Sequence, residues 1–153
     1  MTITTHTAIG AAIGFSLGHP ALGFALGMLS HFAVDMIPHG DMKFAEQFKN
    51  KRRKAAVAYA GIDAAVAILL LLTLFNVGGY TDKLTFSASV AGSIMPDLLV
   101  SIYYATKTKW LKWFVKLHFF FHDFFLKRYG DVRLSYALTF QAAFIFIILR
   151  NVL

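Results

Sequence analysis

His31 and Asp35 stand four residues apart at the end of an apolar run, and His39 and Asp41 follow just beyond Pro38. Four residues is about one helical turn, so His31 and Asp35 share a helix face. The residue before a proline is pushed out of helical geometry, so the chain turns at Pro38 and the second pair lies past the helix end. Imidazole and carboxylate together suit zinc, iron or manganese. Neither solubility nor packing asks for so many ligands beside a segment apolar enough for a bilayer.

The same residue types recur along the chain. His118 and His122 are again one turn apart, a metal-ligand spacing. Asp63 is the single charge within 55–77, and a carboxylate inside an apolar span is expensive enough to be a functional candidate. Asp97 follows Pro96, which frees a carbonyl one turn earlier and favours a kink. His6 opens the first helix. The candidate metal ligands are therefore His6, His31, Asp35, His39, His118 and His122, and the candidate catalytic carboxylates are Asp97 and Asp63. With Asp41 they exceed one ion's needs, which allows two ions, or one ion with a general base and supporting carboxylates. Zinc is the first choice, with manganese or iron as alternatives. Blander readings stand beside these. His6 serves equally well as an ordinary polar end, Asp97 as polar glue between helices, and His118 or His122 alone as a core histidine. His39 and Asp41, at the rim, suit an outer layer of ligands or substrate access.

The elements that must hold these groups read as helices in a membrane. The chain of 153 residues is 58% hydrophobic and 16% aromatic, above the usual soluble domain. It has no cysteine, which excludes disulfides and thiolate zinc sites. The net charge of +7 flanks apolar segments, a membrane pattern rather than a nucleic-acid one, so no nucleic-acid partner is expected. The N-terminus lacks a basic stretch, so no cleaved signal peptide is expected. One all-α, multi-pass transmembrane bundle over 1–153 follows, with helices at about 5–17, 21–37, 55–77, 84–106, 109–128 and 132–150. Thr4 or Thr5 can cap the first. Gly10, Gly14, Gly23 and Gly27 predict a first hairpin packed glycine to glycine. Residues 42–54 read as a basic surface helix or loop. Lys109, Lys112, Lys116 and Lys127 share one stripe of 109–128, which predicts an amphipathic interfacial helix with its histidines inward. The last run carries Gln141 as its interior polar group and reads as structural.

Placing 43–54 and 107–133 on the cytoplasmic side puts thirteen of the 15 basic residues inside, which the positive-inside rule prefers. Asp63 and Asp97 then lie roughly 12–14 Å from that face at 1.5 Å per residue. His31 and Asp35 are slightly shallower, and His118 and His122 point in from the surface. The candidates converge on one layer of a cell (inner) membrane.

Gly27-Met28-Leu29-Ser30-His31-Phe32-Ala33-Val34-Asp35 resembles the G-x-x-S-H-x-x-x-D segment of bacterial membrane-bound metal-dependent hydrolases, a group distantly likened to zinc-dependent phospholipase C. Gly92-Ser93-Ile94-Met95-Pro96-Asp97 is similar to its G-x-x-x-P-D motif, Thr5-His6 to its early histidine, and His118 and His122 to its paired histidines. The two motifs stand here in the reverse of the family's usual order, and Leu98-Leu99 replaces its further acid and histidine. The resemblance implies a hydrolase whose metal is held by His31, Asp35, His118 and His122, with Asp97 as ligand or base. The expected substrate is a lipid or membrane-associated ester or phosphoester. Membrane lipids are the expected partners. The alternatives are a divalent-metal or proton transporter or channel, and a non-catalytic membrane scaffold whose polar groups pair off locally.

Overall fold

A computed structural model of the protein describes residues 1–41, 53–78 and 82–152. Among the described residues there are six α-helices and no strand: α1 (Ile3–Ser16), α2 (Pro20–Asp35), α3 (Arg53–Val77), α4 (Lys83–Thr106), α5 (Lys112–Tyr129) and α6 (Leu134–Val152). A single 3-10 turn, Lys109–Leu111, leads into α5. The basic segment 42–52 lies outside the described residues.

Local chemistry sets the boundaries. Thr2, rather than Thr4 or Thr5, caps α1, accepting the Thr5 N–H on its hydroxyl at 3.2 Å. The earlier start is possible because Asp63 of α3 supplies acceptors to the first turn. Its carboxylate receives the Ile3 N–H at 2.6 Å, the Thr4 N–H at 3.2 Å and the Thr4 hydroxyl at 2.6 Å. His19 caps α2 through Nδ1, and Pro20 occupies its first turn, where a missing N–H costs nothing. Asp82 caps α4. Lys107, at φ 57°, ends it.

The stretches Lys54–Val77, Lys83–Thr106 and Leu134–Asn151 are long and apolar enough to cross a membrane. On α3, Ile62, Ile68, Leu69 and Leu72 face outward with more than half their surface exposed. At 14 and 16 residues, α1 and α2 rise only about 21 and 24 Å, less than a hydrocarbon core.

α4 is the centre of the assembly, packed against α1, α2 and α5. The expected glycine-to-glycine hairpin is corrected here. Both glycine stripes lie against α4 and not against each other. A Cβ on Gly10 would meet Ser93 Oγ, one on Gly14 the Phe86 backbone, one on Gly27 the Ser89 carbonyl, and one on Gly92 the Phe24 backbone. Small residues let backbones approach this closely, and the serine stripe of α4 is what fills the slot. Ala11, Leu74, Phe86 and Val90 form the apolar core, joining α1, α3 and α4.

Candidate metal centre

Four of the candidate ligands meet where α2, α4 and α5 adjoin. His31 and Asp35 come from the last turns of α2, Asp97 from α4 beside Pro96, and His118 from the inner face of α5. His31 Nε2 lies 3.5 Å from Asp35 Oδ2 and 3.6 Å from Asp97 Oδ1. His118 Nε2 lies 3.7 and 3.8 Å from the same two oxygens. All four ligand atoms are within 4.8 Å of one another. Points about 3.6 Å apart at the corners of a tetrahedron lie ~2.2 Å from its centre, close to a metal–imidazole or metal–carboxylate bond of about 2.0–2.2 Å.

The hydrogen bonding explains why these atoms face each other. His31 Nδ1–H donates to the Ser93 carbonyl at 2.8 Å, and a carbonyl can only accept. This fixes the tautomer and leaves the Nε2 lone pair of a neutral ring directed at two carboxylates. Among the described residues His31 Nε2 has no hydrogen-bond partner, although His31 is fully buried. Burial holds His118 down to about 4, so its ring is also neutral. Lone pairs converging on carboxylates in a buried space are repulsive unless a cation stands among them. The donor set therefore fits a divalent ion.

His6 adjoins this group without being one of the four. Its ring stacks on His31 with centroids 4.0 Å apart, and its Nε2 is 3.3 Å from Asp35 Oδ1. The Met1 amino group also contacts Asp35 Oδ1, so each oxygen of Asp35 serves a different set of neighbours.

His39, Asp41 and His122 form a second group whose ligand atoms also lie within 4.8 Å of one another. The histidines expected as one pair on α5 are thus divided between two groups. Asp131 holds the turn after α2, accepting the Gly40 N–H at 2.8 Å, and Gly40 takes φ 81°, open to glycine without strain. His39 Nδ1–H donates to the Ile37 carbonyl at 2.7 Å, which aims Nε2 at Asp41 Oδ2, 3.2 Å away. His122 Nε2 is 3.1 Å from Asp41 Oδ2, and its Nδ1 is 3.1 Å from Asp123 Oδ1. Carboxylates only accept, so His122 satisfies both as an imidazolium. Burial alone would lower its pKa, but the Asp41 carboxylate, helped by Asp35 and Asp123, raises it to about 9. Burial opposes ionisation of Asp41 as well, yet hydrogen bonds from His122 and His39 hold it well below the carboxylate range. Met1 joins the groups, its amino nitrogen 2.9 Å from His39 Nε2 and in contact with Asp35.

Asp63 is not brought into either group. Its oxygens are engaged by the first turn of α1, which makes it a helix cap. Two contributors escaped the sequence reading. The Met1 amino group carries no sequence signal. Gln141 had one, an amide alone in an apolar run, and it accepts from Thr2 N, Thr2 Oγ1 and Thr5 Oγ1 at 2.9, 2.9 and 3.0 Å. The local pairing expected of a plain scaffold is not what joins His31, Asp35, Asp97 and His118, which come from three helices. No family model, curated protein or solved structure matches this chain.

Proposed function

We propose that the chain is a membrane-embedded, metal-dependent hydrolase acting on a lipid or another membrane-associated ester or phosphoester, with its site near the cytoplasmic face of a cell membrane. The observation that carries this reading is the buried meeting of His31 Nε2, His118 Nε2, Asp35 and Asp97, with one imidazole oriented by a backbone carbonyl. That second contact is the usual partner of a metal-ligating histidine. His31, Asp35 and His118 would hold the ion, and zinc suits the mixed donors best, with manganese or iron next. A bound divalent ion supplies activated water near neutral pH and polarises an ester or phosphoryl oxygen. Asp97 completes the set as a ligand or, with its side chain 28% accessible, as the base that takes a proton from incoming water. His6 backs Asp35 from the other side. The resemblance of the 27–35 and 92–97 segments to membrane-bound hydrolases supports the same reaction class.

Metal content separates this proposal from a plain helical scaffold. Protein purified in detergent without chelator is expected to carry about one transition-metal ion per chain by mass spectrometry of the elements. His31→Ala is expected to lower affinity at least ~100-fold, the upper range seen even for loss of supporting groups. Asp63→Ala is expected to retain the ion while unfolding at lower temperature, because it removes only the α1 cap. Wild type without metal, or His31→Ala with undiminished metal, would sink the reading.

A further inference from the structure

A cleft of about 250 Å³ opens between the turn after α2 and the first half of α6. Its walls include Ile37, Tyr136, Ala137 and Phe140, and its polar boundary includes His39 and Gln141. It is smaller than a site for a drug-sized ligand, but its apolar walls suit a hydrocarbon chain. Gln141 is the revealing residue. Its Oε1 is engaged by Thr2 and Thr5, which fixes the amide orientation, because the Thr2 backbone N–H needs an acceptor. Its Nε2, on a side chain 97% buried, has no hydrogen-bond partner among the described residues. A buried amide N–H₂ without an acceptor costs about 1–3 kcal/mol, so a ligand bringing an acceptor oxygen is favoured there. The same boundary carries His39, which belongs to the second His/Asp group and contacts the Met1 amine that touches Asp35.

We infer that this cleft holds one acyl chain of an ester lipid, with the ester carbonyl accepting from Gln141 Nε2 and the chain lying against Ala137, Tyr136 and Phe140. The inference rests on the hydrolase reading for its consequence, since it names an acyl ester as the substrate class and sets its head beside His39. The fatty chain occupies the wall that α6 presents to the bilayer, and the bond to be cleaved lies toward the buried carboxylates.

The test uses the full chain in detergent micelles and a monoacylglycerol with a diazirine in its acyl chain. After irradiation, peptide mass spectrometry is expected to find adducts concentrated on Ile37, Tyr136, Ala137 and Phe140, and excess plain monoacylglycerol is expected to suppress them. The ether-linked analogue lacks the carbonyl and should compete ~5–10-fold less well, the scale of one lost hydrogen bond. Ala137→Phe should reduce cleft adducts at least ~10-fold by filling the space. Gln141→Glu keeps acceptors for Thr2 and Thr5 while removing the donor, and should weaken competition by the ester ~5–10-fold. Adducts spread over Ile68, Leu69 and Leu72 of α3 in proportion to exposure would overturn the inference, as would equal competition by ester and ether. Metal is measured on the same samples. Cleft labelling without metal overturns the hydrolase reading alone, and metal without cleft labelling overturns this inference alone.

Discussion

His122 stands between two carboxylates, and this makes the second His/Asp group sensitive to pH in the absence of metal. Its folded pKa, about 9, lies above the ordinary 6.5, so its contribution to stability is fully present below 6.5 and is lost as pH rises through about 9. Asp41 is displaced the other way. Its contribution is present above 3.8 and is lost only as pH falls through its lowered value. With a chelator present, the wild-type Tm is expected to fall between pH 6.5 and 9 by ~2–4 °C more than that of His122→Gln, equivalent to about 1 kcal/mol for a chain of this size. Parallel curves for the two proteins over that window would show that His122 is neutral in the fold. At this scale, what sequence revealed followed one-turn spacing. His31 with Asp35, and Asp97 beside Pro96, were legible because a helix places such groups predictably. The division of His118 from His122 was not, since it depends on the turn at Gly40, fixed by Asp131 far along the chain. Asp63 misled for a related reason. An acid in an apolar span signals a partner, and the partner proved to be the first turn of α1.

Among the elements, α4 both packs the bundle and orients the centre. Its Ser89–Ser93 turn fits against the glycines of α1 and α2, and its Ser93 carbonyl aligns the His31 ring. A methyl group on Gly27 would run into the Ser89 carbonyl and the Ser93 nitrogen, both backbone atoms that cannot turn aside. Gly27→Ala is therefore expected to cost about 1–3 kcal/mol, as overpacking does, and to weaken metal binding by moving Ser93 away from His31. Gly61 on α3 supplies the contrast, with nothing within 4 Å of an added Cβ. Gly61→Ala should raise stability by roughly 0.5–1 kcal/mol and leave metal affinity unchanged. Thermal unfolding and metal titration of both variants decide the point, and a harmless Gly27→Ala would show that the helices have slack. The helices themselves were readable to within a few residues, because apolar runs, Pro20, Pro38 and the glycines punctuate them. Which helix the glycines face was not readable. Spacing by four marks a stripe for close approach, but it names no partner.

For the whole molecule, the sidedness of charge and the position of the centre have one common explanation. On α5 the exposed surface divides lengthwise. Lys112, Lys116 and Lys127 occupy one flank, Trp113, Phe120 and Phe124 the next, and the buried face carries Phe114, His118 and Leu126. Water or headgroups against the lysines, the acyl boundary against the aromatics and protein against the histidine is the arrangement of a helix lying at a membrane surface. Asp97 is nine residues from Thr106, the end of α4 that leads into this helix. At 1.5 Å per residue it lies roughly 14 Å below that end. The metal group would thus sit beneath the surface helix, within reach of a lipid ester on the same side. Lys83 begins α4 at its opposite end. Because the chain has no cysteine, one introduced thiol reports on one position. Lys116 and Lys83 are both exposed, so replacing either should leave the fold intact. Expressed in bacteria, Lys116→Cys is expected to react with a membrane-impermeant maleimide only in inside-out vesicles, and Lys83→Cys only in intact cells with a permeable outer layer. Labelling of both from one side would remove the crossing by α4, and with it the placement of the centre under a cytoplasmic surface helix.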